Sequence, residues 1–116
     1  MTNINLWIDD ERPMPDGYTH WAKTSDEAIG LLDIFRSTDD VLISVSFDHD
    51  LGYTGEQDDN SRRVAIWMSE HNFWPELVVI HTQNPIGASW LYRHFSYDGP
   101  EGMSVIRAPF DPKNYI

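Results

Sequence analysis

The chain has 116 residues, room for one domain (1–116) around one core. It contains no cysteine, which excludes disulfides and thiolate-held zinc or iron–sulfur centres. A metal would have to sit on carboxylates, imidazoles, amides or water, donors that suit Mg²⁺ or Mn²⁺. The net charge of −11, with no cluster of Lys and Arg, argues against duplex DNA or an anionic membrane as a partner. It leaves a single phosphate, a nucleic-acid end or a protein partner open.

No apolar run approaches membrane-spanning length, and the first residues lack the features of a signal peptide, so a cytoplasmic protein is expected. Residues 5–8 form a short apolar run that stops at Asp9-Asp10-Glu11-Arg12, which reads as a buried strand ending in charge. Residues 12–17 hold too much Pro and Gly for a helix and read as a loop. A second short strand over 19–23 leads into Thr24-Ser25-Asp26-Glu27, a capping-box spacing that opens a helix burying Ala28, Leu31, Leu32 and Phe35. Asp39 and Asp40 break it.

Residues 41–47 are a β-branched strand that again ends in acid, at Asp48-His49-Asp50-Leu51-Gly52. Residues 53–60 read as a Gly- and Asp-rich loop, and 61–71 as a helix with Val64, Trp67, Met68 and His71 on one side. A fourth strand, 77–80, ends at His81-Thr82-Gln83-Asn84. Asn84-Pro85 supplies a cap and a first-turn proline for a helix through Phe95 that is expected to bury Ile86, Trp90 and Leu91. Residues 103–108 are the last strand, and Pro109 to Pro112 ends regular structure.

Strands alternating with helices predict right-handed crossovers and a five-stranded, mostly parallel sheet with helices on both faces. Ligands of such sheets bind beyond the carboxyl ends of the strands, where strand order reverses. Those ends carry Asp9, Asp10, Asp48, His49, Asp50, His81 and Thr82.

Clustered carboxylates repel one another, and a divalent cation relieves that repulsion. Asp9, Asp10 and Asp48 are therefore the candidate metal ligands. Taken singly, Asp9 also reads as a turn cap, Asp10 as solvated and Asp48 as a plain strand end. Imidazoles after two different strands suit a general base and a general acid at one phosphodiester, although His81 also reads as a metal ligand and both as hydrogen-bonded strand ends. Side-chain alternation turns Asp48 and Asp50 the same way and His49 away.

Thr82 and the helix start after Asn84 form the anion side, with Gly87 leaving space for close approach. Asn84 reads equally as a plain cap. Arg12 either clamps a phosphate or neutralises Glu11 and Asp10. His20, His71 and His94 have no acidic neighbours and read as structural or surface residues.

Asp9-Asp10, Asp48, Thr82 and Arg107-Ala108-Pro109-Phe110 resemble the receiver fold of two-component response regulators. More closely, Leu6-Trp7-Ile8-Asp9-Asp10-Glu11-Arg12-Pro13, Phe47-Asp48-His49-Asp50-Leu51-Gly52 and His81-Thr82-Gln83-Asn84-Pro85-Ile86-Gly87 resemble the D-D-x-R-P, D-H-D-L-G and H-S/T-x-N-P-x-G motifs of the cyclic-phosphate processing receiver family. The resemblance implies a flavodoxin-like, receiver-like fold whose first helix is replaced by the Pro-rich loop. It also implies a metal-dependent site acting on cyclic phosphates of nucleotides or RNA ends. His49, Asp50 and His81 would then be catalytic, Arg12, Thr82, Asn84 and Gly87 substrate-binding, and Asp9, Asp10 and Asp48 metal-binding.

Three departures from phosphoacceptor receivers argue against phosphorylation at Asp48: the Pro-rich loop in place of the first helix, His49-Asp50 after Asp48, and a fifth-strand Lys that is replaced by Arg107 or displaced. A hydrolase or cyclic phosphodiesterase is thus the first expectation. A phosphoacceptor receiver and a non-catalytic binding or inhibitor protein are the alternatives.

Overall fold

Alternating side chains decide how the central strands sit. In β1 (Asn3–Ile8) Ile4, Leu6 and Ile8 point to one face and Trp7 to the other, and all four are buried. The structure, a computed structural model, describes residues 2–55 and 57–109. β1 lies between β2 (His20–Ala22) and β3 (Val41–Phe47), followed by β6 (Leu77–Ile80) and β7 (Ser104–Arg107), giving the order β2-β1-β3-β6-β7 with every pairing parallel. This is the doubly wound order of flavodoxin-like sheets. Phe110, Asp111 and Pro112, expected beyond the last strand, lie outside the described residues.

Register positions the chemistry. Ala22, Ile8, Phe47, Ile80 and Arg107 form one row across the sheet. The ladder continues one residue further: Asp9 N–H donates to Ala22 O (3.1 Å), Asp48 N–H to Ile8 O (2.8 Å), His81 N–H to Phe47 O (3.0 Å) and Ala108 N–H to Ile80 O (2.9 Å). Asp9, Asp48 and His81 therefore emerge side by side while their backbones are still held by the sheet.

The Thr24 side chain caps α1 (Ser25–Arg36) by accepting from Glu27 N–H, as the capping-box spacing predicts. α2 (Arg62–Glu70) buries Val64, Ala65 and Met68. α3 (Pro85–Asp98) has Asn84 as its cap and Pro85 in its first turn, and it runs past Phe95 to Asp98. Its buried face is Gly87, Ala88, Leu91 and Phe95. Ile86, expected inside, is 75% exposed, and Trp90 is only half-buried, because the three- and four-residue spacing that reaches the sheet starts from Ala88.

The crossovers β2-α1-β3, β3-α2-β6 and β6-α3-β7 all step in one direction, so right-handed connections put the three helices on one face, where α1 touches α2 and α2 touches α3. Among the described residues the helices expected on the other face are not found. The Pro-rich loop lies there instead, with Tyr18 edge-on to Trp7 at 5.1 Å and the Trp7 indole N–H donating to Arg12 O (2.9 Å).

The segment expected to be loop contains a hairpin, β4 (Asp50–Thr54) paired antiparallel with β5 (Gln57–Asn60). Its polar composition hides the strand pattern, while Gly52 and Gly55 take the positive φ values (+77° and +69°) that bend and close it. Its far end is tied down where buried Asp59 accepts from Ser25 N–H and Oγ–H, at the N-terminus of α1.

Candidate functional site

The site has a buried floor built on Asp9. Its Oδ1 accepts from the backbone N–H groups of Glu11 (2.9 Å) and Arg12 (2.8 Å). Its Oδ2 accepts from His81 Nε2 (2.9 Å) and from Arg12 Nη1 (3.3 Å). All four acceptor positions of this carboxylate are used. Burial favours the neutral acid, yet the His81 hydrogen bond and the Arg12 and Glu11 N–H groups outweigh it and hold Asp9 below the ordinary carboxylate range.

His81 is completely buried, stacked on Trp7 with ring centroids 3.9 Å apart. Because Nε2 donates to Asp9, Nδ1 is the acceptor and takes the Ser46 hydroxyl (2.7 Å). Burial pushes His81 below its usual pKa against the pull of Asp9, so the neutral imidazole dominates.

Above this floor lies a cleft of about 350 Å³ lined by Asp10, Glu11, Arg12, Asp48, Asp50, Gly52, Thr82, Gln83 and Asn84. It opens where β1 and β3 end, at the reversal of strand order. One carboxylate oxygen from each of Asp9, Asp10 and Asp48 lies within 4.8 Å of the other two, a cluster that suits a metal ion.

Asp48 accepts from Thr82 and from its neighbour His49 N–H (2.9 Å), with Arg12 Nη1 3.6 Å from its Oδ2. These contacts do not offset its burial and the charge of Asp9, and its pKa rises to about 6. Asp10 is also raised, first by burial and then by Glu11 and Asp9. Gly52, at positive φ, gives the Asp10 carboxylate room: a Cβ there would stand 3.2 Å from Asp10 Oδ2.

A second supporting unit lies behind Asp50. His49 is buried with Nε2 accepting from Arg62 Nε (2.8 Å), which makes Nδ1 the donor to Asp50 Oδ1 (2.9 Å). Asn84 Nδ2 donates to Asp50 Oδ2 (3.0 Å) while its Oδ1 caps α3 by accepting from Ile86 and Gly87 N–H. Burial works against the charge on Asp50, but the His49 and Asn84 hydrogen bonds lower its pKa.

Of the residues singled out in the sequence, Asp10, Arg12, Asp48, Asp50, Thr82 and Asn84 line the cleft, whereas Asp9, His49, His81 and Gly87 stand behind it. As alternation predicts, Asp48 and Asp50 face the cleft together and His49 turns away. The space at Gly87 is filled by the His49 ring, with which a Cβ would collide, so this glycine admits a protein side chain where close ligand approach was expected. Asp9 does cap a turn, as one of its readings had it, and simultaneously anchors His81 and Arg12.

His20, His71 and His94 bond Thr19 Oγ1, Trp67 O, and Ala65 O with Ser69 Oγ, away from the cleft. Sequence reading passed over Ser46, Gly52, Arg62 and Gln83. Ser46 alternates with Phe47 onto the Trp7 face and was findable from the strand period, but nothing local to Arg62 signals His49.

A parallel sheet in this order, with acidic residues from two adjacent strand ends and a Thr from the next, defines a receiver-like fold. The sequence matches the family model "Cyclic-phosphate processing Receiver domain" over residues 4–96, and the chain belongs to that family. No curated protein and no solved structure matches it.

Proposed function

We propose that the cleft is a metal-assisted site that opens a cyclic phosphate of a nucleotide or RNA end. The observation that carries this reading is the crowding of carboxylates at the cleft: one oxygen each of Asp9, Asp10 and Asp48 lie within 4.8 Å of one another, and the donors around Asp48, Arg12 included, leave its pKa raised to about 6. A hard divalent cation, Mg²⁺ or Mn²⁺, matches an all-carboxylate donor set. Asp10 and Asp48 would hold it, with Asp9 supporting from below because its oxygens are already committed to His81, Arg12 and the turn. When bound, such an ion supplies positive charge to a phosphoryl oxygen.

The chain's own groups divide the remaining work. Thr82 and Arg12 flank the position of the phosphoryl oxygens, Arg12 being poised between Asp9 and Asp48 and steadied by Gln83 Oε1 at 3.4 Å. Asp50, ionised and oriented by His49 and Asn84, accepts the proton of an attacking water. The new P–O bond forms as one ring P–O ester bond breaks, and the leaving oxygen takes its proton from solvent. His49 and His81 act as positioning residues in this scheme, since neither lines the cleft and both nitrogens of each ring already have partners.

Phosphoacceptor chemistry at Asp48 is less well supported. Arg107 lines a neighbouring groove with Ile80 and Pro109, and no basic residue of β7 lines the acidic cleft. Turnover of 2′,3′-cyclic nucleotides with Mn²⁺ tests the reading. Activity lost in Asp50→Asn and Asp48→Asn supports it, and absence of turnover across a broad panel of cyclic phosphates defeats it.

A further inference from the structure

A second concavity adjoins the cleft at the Asn84-Pro85 junction. The first turns of α3 and the start of α2 enclose a groove of about 550 Å³ lined by Arg62, Pro85, Ile86, Ser89, Trp90 and Arg93. That volume lies in the range of small-molecule sites. The lining holds two guanidinium groups and no carboxylate, in a chain with eight Lys and Arg against nineteen Asp and Glu. Among the described residues no carboxylate lies within ion-pair distance of Arg62 or Arg93, although the charge of Arg62 helps from further off to lower the pKa of Asp50.

Arg62 is also held in place. Its Nε donates to His49 and its Cζ lies over the Trp90 ring at 4.9 Å, while His94 stacks near Trp90 with centroids 5.0 Å apart. The guanidinium is thereby fixed at the groove with its two terminal nitrogens available as donors. Ile86 adds an exposed apolar edge.

We infer that this groove is a nucleotide subsite: it receives the base and the 5′-phosphate of the nucleotide whose 3′-side phosphate occupies the acidic cleft. The inference rests on the proposed reading of the cleft and extends it to the substrate class, an RNA 3′ end. The base lies against Pro85, Ile86 and the edge of Trp90, and the 5′-phosphate takes Arg62 and Arg93. Elsewhere the acidic surface repels a polynucleotide, so a local pair of Arg residues at the cleft margin gives the chain its landing point. Arg62 further connects the two sites, since Arg62, His49 and Asp50 form one hydrogen-bonded series ending at the cleft.

The test is an ¹⁵N NMR titration of the full chain in the presence of Mg²⁺ with adenosine 3′,5′-bisphosphate and adenosine 3′-monophosphate. The inference predicts shifts of the Trp90 indole N–H and the Arg62 Nε–H. It also predicts about tenfold tighter binding of the bisphosphate, as expected of one charge-assisted phosphate contact. Arg93→Ala, at an exposed position, removes most of that advantage and leaves 3′-monophosphate affinity within about twofold.

Equal affinity for the two probes overturns the inference. So does an acidic peptide that shifts those resonances when the bisphosphate does not. Its failure is distinguishable from failure of the cleft reading, which stands or falls by Mn²⁺ binding in the absence of nucleotide.

Discussion

The floor and the rim of the cleft are built from the same residue type and are opposite in electrostatic design. Asp9, at the floor, is fully buried and uses every acceptor position, so its charge is satisfied by the protein itself. Asp48, one strand away and also buried, has fewer donors and a pKa raised to about 6. The difference shows how a carboxylate cluster separates into members that hold the structure and members left with unmet charge. The floor should be needed for folding. The rim should cost stability until a cation arrives.

The largest expected effect is at the floor. Asp9→Ala leaves His81, Arg12 and two backbone N–H groups without their shared acceptor, and should destabilise the protein by about 3–5 kcal/mol in urea unfolding. A cost below about 1 kcal/mol, the range of surface ion pairs, would erase the distinction between floor and rim.

Next comes the rim, with the opposite sign. Asp48 has a folded-state pKa above its unfolded value of 3.8, so the folded chain binds the extra proton between the two values. Its contribution to stability is therefore lost as pH rises from about 4 through about 6. Asp9, whose folded pKa is lowered, contributes in the other sense and loses its stabilisation as pH falls below the carboxylate range. In EDTA at pH 8, Asp48→Asn should gain up to about 3 kcal/mol over wild type, and the gain should vanish below pH 4. A pH-independent difference between the two proteins would contradict the assignment.

A smaller effect is expected where the rim is propped from behind. Gly87→Ala would drive a methyl group into the His49 ring and cost about 1–3 kcal/mol, with loss of the Arg62 Nε–H to His49 hydrogen bond visible by NMR. A neutral substitution would show that His49 is not wedged beneath α3. The smallest effect concerns Arg12, whose guanidinium stands beside both Asp9 and Asp48 and competes with any cation there. Arg12→Gln should raise Mn²⁺ affinity by about tenfold by calorimetry, and a fall in affinity would mean that Arg12 assists the ion.

Much of this was legible in the chain because apolar runs stop abruptly at charge. The strands ending at Ile8, Phe47 and Ile80 and the caps Thr24 and Asn84 all follow from short-range pattern. What pattern does not carry is depth. Asp9 and Asp48 look alike in sequence, and only the shared row of Ile8, Phe47 and Ile80 brings Asp9 beneath His81.

Contacts between distant segments were equally hidden. His49 lies buried against Gly87 and Arg62, contacts across 38 and 13 residues that no local pattern signals, and the β4–β5 hairpin is concealed by residues that usually mark loops. Ile86 is exposed because it shares the outward side of α3 with Trp90, while Gly87, Ala88, Leu91 and Phe95 form the buried side.

The central claim is that Asp10 and Asp48 hold a divalent cation at the point where strand order reverses. Isothermal titration of the full chain with Mn²⁺ at neutral pH tests it most directly, beside Asp10→Asn and Asp48→Asn. The expected result is saturable binding by wild type that each substitution weakens by roughly tenfold or more, as loss of one carboxylate from a hard-ion site requires. Wild-type protein that takes up no Mn²⁺ at millimolar concentrations, or variants that bind as wild type does, would contradict it.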